Sequence, residues 1–159
     1  MADTSAIASM EDREYRYRLP VSSDKESTFG DPYFPAWWTQ SLQRIGLLLD
    51  LEENWDSYGA RPIDRRVAYN AVQILQEIAP AGLPVPAIVP TANGRLQFEW
   101  HAGGIDLEFE VLSAVRILAS YEDAEQGVEW EKEFDYDLKD LGEVLRILTH
   151  RVHGAVQAA

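Results

Sequence analysis

The chain has 159 residues, 46% of them hydrophobic and 11% aromatic, enough to bury a core and too apolar to stay disordered. It holds 27 acidic against 14 basic residues, a net charge of -13, which argues against direct nucleic-acid binding because that needs a basic, phosphate-neutralising surface. With no Cys there are no disulfides, thiolate metal sites or Cys nucleophiles, and no apolar run of ~18 residues predicts a membrane span.

Met1 to Asp12 is small and polar and is expected to be a disordered tail. It lacks the basic start and apolar block of a secretory signal, so a cytoplasmic location is expected. Residues 13–159 are expected to form a single α+β domain. Glu14 to Leu19 alternates aromatic with charged residues, as an edge strand does, and Pro20 stops it.

Asp31 to Trp38 opens a helix, with Pro35 in its first turn. Trp38, Leu42, Ile45, Leu48 and Leu49 fall on one face, and the helix should end near Glu52. A second helix is predicted from Asp64, its N-cap, to Ile78, burying Val67, Ala71, Ile74, Leu75 and Ile78. Between the two helices lies the turn Asn54 to Pro62.

From Ile88 to Phe134 the pattern is that of an antiparallel meander of four or five strands. Ala87 to Pro90 makes a proline-flanked edge, and Asn93-Gly94 a hairpin signal in which both residues tolerate positive φ. Leu96, Phe98 and Trp100 alternate with polar residues, as do Ile105, Leu107, Phe109 and Val111. His101 is placed in the turn between these strands. A strand from Val115 to Tyr121 follows, then an acidic loop from Glu122 to Gly127. In the last strand Val128, Trp130 and Phe134 alternate with three glutamates. Asp137 caps a final helix with Leu138, Leu141, Leu145, Leu148 and Val152 as its stripe.

The charge is concentrated in the sheet. Residues 96–143 hold fourteen acidic and three basic residues, 3 - 14 = -11. Strand alternation projects Glu99, Asp106, Glu108, Glu110, Glu129, Glu131 and Glu133 from one face, with Glu99 opposite Asp106 or Glu108 and Arg116 between Glu110 and Glu133. Three readings stand: a solvated face that discourages aggregation, a docking surface for a basic protein, or a carboxylate metal site, which needs oxygens converging on one point.

His150 and His153, three apart on the last helix, are expected to be exposed helix-end residues rather than metal ligands. No complete catalytic motif is present, and no cofactor is expected. In the Asn54–Pro62 turn, Asn54 ends a helix, Asp56 accepts from the N–H groups beyond it, Gly59 supplies a positive φ, and Trp55 and Tyr58 pin the turn to the core. A recognition role would instead present Asp56, Tyr58 and Arg61.

Asn54-Trp55-Asp56-Ser57-Tyr58-Gly59-Ala60, then Pro86-Ala87-Ile88-Val89-Pro90-Thr91-Ala92-Asn93-Gly94 and Gln97-Phe98-Glu99-Trp100, resemble a group of uncharacterised small bacterial and phage-associated proteins. The resemblance spans roughly Leu47 to Val111. It implies a shared fold and leans toward an accessory role of the toxin–antitoxin or mobile-element sort.

The leading expectation is a non-enzymatic acidic binding protein that neutralises or regulates a basic macromolecular partner, as an antitoxin, immunity protein, phage inhibitor or nucleic-acid mimic does. The alternatives are a small divalent-metal-dependent hydrolase or nuclease using Asp56 with sheet carboxylates, and a self-associating structural protein. The sequence leaves the oligomeric state open.

Overall fold

Alternation in the middle of the chain builds the sheet. Leu96, Phe98 and Trp100 on β2 (Leu96–Ala102) and Ile105, Leu107, Phe109 and Val111 on β3 (Ile105–Val111) are all buried, and the residues between them point the other way. In this computed structural model, which describes residues 34–135 and 137–157, Phe98 sits directly opposite Phe109 with the rings stacked at 4.9 Å. Burying each such side chain is worth roughly 2–3 kcal/mol relative to leaving it exposed.

Three further strands complete an antiparallel sheet in the order β1-β2-β3-β4-β5: β1 (Ala87–Pro90), β4 (Ile117–Asp123) and β5 (Val128–Phe134). The β2–β3 hairpin turns on Gly103 and Gly104, with φ of 61° and 72°. This two-residue turn sets Glu99 opposite Glu108, the second of the two expected registers, and puts His101 on β2 rather than in the turn.

One expectation about the sheet is corrected. Glu110 faces Leu118, not Arg116, because the β3–β4 loop runs from Leu112 to Arg116, where Leu112 N donates to Arg116 O (2.9 Å) and Val115 N to Ser113 Oγ (3.3 Å). The hairpin expected at Asn93-Gly94 joins β1 to β2, with Gly94 alone of the two at positive φ (77°).

Among the described residues are three helices: α1 (Ala36–Leu48), α2 (Arg65–Ile78) and α3 (Lys139–Gln157). With the antiparallel sheet they make an α+β architecture ending in a helix. Asp64 caps α2, its carboxylate accepting from Arg66 N at 2.7 Å, and Asp137 accepts from Lys139 N at the start of α3. No described helix is long and apolar enough to cross a membrane. The predicted Glu14–Leu19 strand and the Met1–Asp12 tail lie outside the described residues.

One hydrophobic cluster joins the apolar sheet face to α2 and α3, and α1 packs beside β1. On α1 the buried face keeps the expected Ile45 and Leu48 but is rotated at its N-terminal end. Trp37, Ser41, Ile45 and Leu48 are buried, while Trp38, Leu42 and Leu49 are only partly covered. Trp37 donates its Nε1 to Pro80 O (3.1 Å), which fixes the helix rotation, and Ser41 is buried on the same face. Trp100 Nε1 likewise reaches Pro84 O at 2.7 Å, so the buried indoles at both ends of the α2–β1 connection are satisfied.

Candidate functional site

The face of the sheet opposite the core collects the acidic side chains that the alternation predicts. Adjacent strands place Glu99 beside Glu108, Asp106 beside Glu122, and Glu122 beside Glu129, with Glu131 opposite Ser120 and Glu133 opposite Leu118. Like charges directly opposite each other are unfavourable, by well under ~1 kcal/mol per exposed pair.

Compensation on this face is uneven. Toward β1, Gln97 Nε2 donates to both Glu99 (3.0 Å) and Glu108 (3.1 Å). Glu110 accepts from Thr91 Oγ1 at 3.2 Å and lies 3.6 Å from Arg95. His101 is paired with Asp106 at 2.7 Å and lies 3.8 Å from Glu99. That hydrogen bond to Asp106, aided by the charges of Asp106, Glu99 and Glu108, raises the imidazole above its ordinary pKa despite slight desolvation. Arg116 pairs with Glu133.

Toward the β4–β5 turn compensation stops. Glu122, Glu129 and Glu131 have no hydrogen-bonding or ionic partner among the described residues. They rim, with Asp106, Glu108 and Ser120, a shallow basin of about 430 Å³. A basin lined by carboxylates of one sign focuses a negative field on whatever approaches.

No three His, Asp or Glu residues among those described converge in a way that could hold a metal ion. Asp56 in particular is not brought together with the sheet carboxylates. His150 is exposed, and His153 lies with its Nε2 2.8 Å from Gly82 O, tying α3 to the α2–β1 connection.

The Asn54–Pro62 turn is a closed backbone structure. Asn54 (φ 64°) donates its N–H to Ala60 O at 2.7 Å and accepts at Oδ1 from Gly59 N at 2.7 Å. Asp56 Oδ1 accepts from Tyr58 N (2.8 Å) and Ala60 N (3.0 Å), the expected Asx arrangement. Trp55 Nε1 donates to Arg61 O at 3.1 Å. Tyr58 does not pin the turn to the core: it is 93% exposed, and Ser57 before it also takes a positive φ (65°). Arg61 is exposed as well.

The bonds from Ala60 and Tyr58 hold the Asp56 carboxylate below its usual pKa, 3.8. Its contribution to stability is therefore complete above that value and fades as pH falls through the lower, folded one. Asp56→Ala should lower Tm by about 2–4 °C at pH 7. The deficit should shrink as pH is taken progressively below 3.8 in thermal melts followed by circular dichroism.

A second polar cluster was not foreseen. Asp123, expected in an acidic loop, is the last residue of β4 and 2% exposed. Arg151 on α3 binds it with both terminal nitrogens, at 2.8 and 2.7 Å. Tyr121 Oη (3.1 Å) and the N–H groups of Glu125 (3.0 Å) and Gln126 (3.1 Å) also donate to Asp123. Arg151, ahead of those bonds, holds the Asp123 carboxyl far below the usual carboxylate range, and Asp123 in turn raises the guanidinium. The signal was parity: Ile117, Ala119 and Tyr121 face inward, so residue 123 does too, and Arg151 sits three residues beyond Leu148 on the buried stripe of α3.

Comparison with protein-family models, curated proteins and solved structures finds no match.

Proposed function

We propose that this chain is a non-enzymatic acidic binding protein. It neutralises or regulates a basic macromolecular partner by docking it on the outer sheet face, in the manner of an antitoxin, immunity protein or phage inhibitor. The scaffold we infer is a pair of N-terminal helices joined by the Asn54–Pro62 turn, followed by a five-strand meander. The observation that carries the reading is the unevenly compensated face: among the described residues Glu122, Glu129 and Glu131 lack partners beside Asp106 and Glu108, around one basin. Arg and Lys side chains would complement it, and toward a nucleic-acid-binding partner its carboxylates would imitate a phosphate track. The resemblance to small phage-associated proteins leans the same way.

The test is capture from host lysate with the immobilised protein, at low and high salt, against the triple variant Glu108→Lys/Glu110→Lys/Glu131→Lys. A basic protein should be retained by the wild type, released as salt screens the contact, and lost at least ~tenfold by the variant. The variant should keep its circular dichroism spectrum. Equal retention by both proteins would remove the sheet face from consideration.

A further inference from the structure

β5 ends the sheet with no strand beyond it among the described residues. Its outward N–H and C=O groups are a template for one more strand. The opposite edge is occupied: α1 packs beside β1, Arg44 Nε donates to Ile88 O at 2.9 Å, and Pro86 and Pro90 bracket the strand.

The two faces of β5 specify what that strand must carry. One face presents Glu129, Glu131 and Glu133, the first two without a cation among the described residues. On the other face Trp130 is half-buried between Tyr121 and Phe134, Lys132 Nζ stands 5.5 Å over its ring, and Val128 is 43% exposed. A matching strand alternates cations with apolar or aromatic residues. The sequence contains one such segment, Tyr15-Arg16-Tyr17-Arg18-Leu19, and Arg16 and Arg18 are the only Lys or Arg residues two positions apart in the chain.

We propose that the open edge of β5 is the docking site for this chain's own residues Tyr15–Leu19. They lie antiparallel, like every other pair in the sheet, with Arg16 opposite Glu133, Arg18 opposite Glu131 and Leu19 beside Trp130. This register also sets Tyr15 beside Phe134 and Tyr17 beside Lys132, where an aromatic face meets an ammonium. Pro20 falls at the end of the pairing, where a strand tolerates it. Residues 20–33 can stretch over about 45 Å. Crossing the sheet from the β1 side takes four strand spacings, about 19 Å. The docked arginines supply cations to part of the carboxylate face, so a basic partner must compete with them. The proposal does not rest on that partner existing.

The absence of native Cys makes the register directly testable. In the full chain, Tyr17→Cys/Lys132→Cys should close an intramolecular disulfide on the order of tenfold faster than Tyr17→Cys/Val128→Cys. Facing Cα atoms in paired strands lie within disulfide range, and residue 128 is about 13 Å along the strand from 132. Separately, Arg16→Glu/Arg18→Glu should speed amide hydrogen exchange in β5 roughly three- to tenfold and leave β2 and β3 unchanged. Equal closure rates in the two cysteine pairs, or unchanged β5 exchange in the reversal variant, would overturn the proposal. Disulfide-linked dimers instead of monomers would show that a second copy supplies the strand, and would overturn it too.

Discussion

Replacing Arg151 with Met should lower Tm by about 10 °C. The guanidinium is 18% exposed, and it answers both oxygens of a carboxylate that is almost wholly covered. With it gone, Asp123 keeps Tyr121 and two backbone donors, but its charge has no counter-ion except by unfolding or taking up a proton. The same carboxylate closes the β4–β5 turn through Glu125 and Gln126, so the sheet end and the helix share one anchor. The pH dependence follows from the depressed folded pKa of Asp123. Its contribution is complete above the unfolded value of 3.8 and is lost as pH falls through the folded one, so wild type and Arg151→Met should differ most near neutrality and converge in strong acid. Asp123→Asn/Arg151→Met should melt no lower than Arg151→Met alone, because Asn keeps an acceptor for the turn and removes the orphaned charge. Additive losses in the double variant would show that the two side chains are not coupled.

That anchor also marks where the sequence became hard to read. The acidic face was legible because strand alternation has a period of two and needs no knowledge of neighbours: Glu99, Asp106, Glu108, Glu110, Glu129, Glu131 and Glu133 all project as the pattern requires. Asp123 follows the same parity to the inner face, but its neighbours Glu122 and Glu125 disguise it as part of a solvated loop. Its partner lies 28 residues away on another element. The rotation of α1 was hidden for a related reason. Trp38, Leu42, Ile45, Leu48 and Leu49 make an acceptable stripe, and so do Trp37, Ser41, Ile45 and Leu48, which share two of its positions. Only the Pro80 carbonyl, reached by one of the two indoles, decides between them. Loop length set the limit for Arg116. Ser113 tightens a five-residue loop whose size no local pattern announces, and Arg116 is left to Glu133 alone.

Gly94→Ala should cost about 3 kcal/mol in urea unfolding, from two sources. The residue holds φ at 77°, which an alanine adopts at a penalty of ~1 kcal/mol. A Cβ there would also stand 2.5 Å from the Pro62 carbonyl oxygen and 3.4 Å from Arg61 Cβ, so the backbone of the Asn54–Pro62 turn would have to retreat, at a cost of roughly 2 kcal/mol. That retreat would pull on the two bonds joining the turn to the hairpin tip, Arg61 N to Ala92 O (3.0 Å) and Asp64 N to Gly94 O (2.8 Å). Asp64 is the N-cap of α2, so the strain would reach the start of that helix. Gly59→Ala separates the two sources. Gly59 has an even larger φ of 93°, and nothing stands within 4 Å of a Cβ built on it, so only the conformational penalty of ~1 kcal/mol applies. A gap of about 2 kcal/mol between the variants would measure how tightly the turn is seated on the sheet. Equal losses would mean that it rests there without close contact, and that its aromatic and carboxylate side chains are positioned by the turn's internal bonds alone.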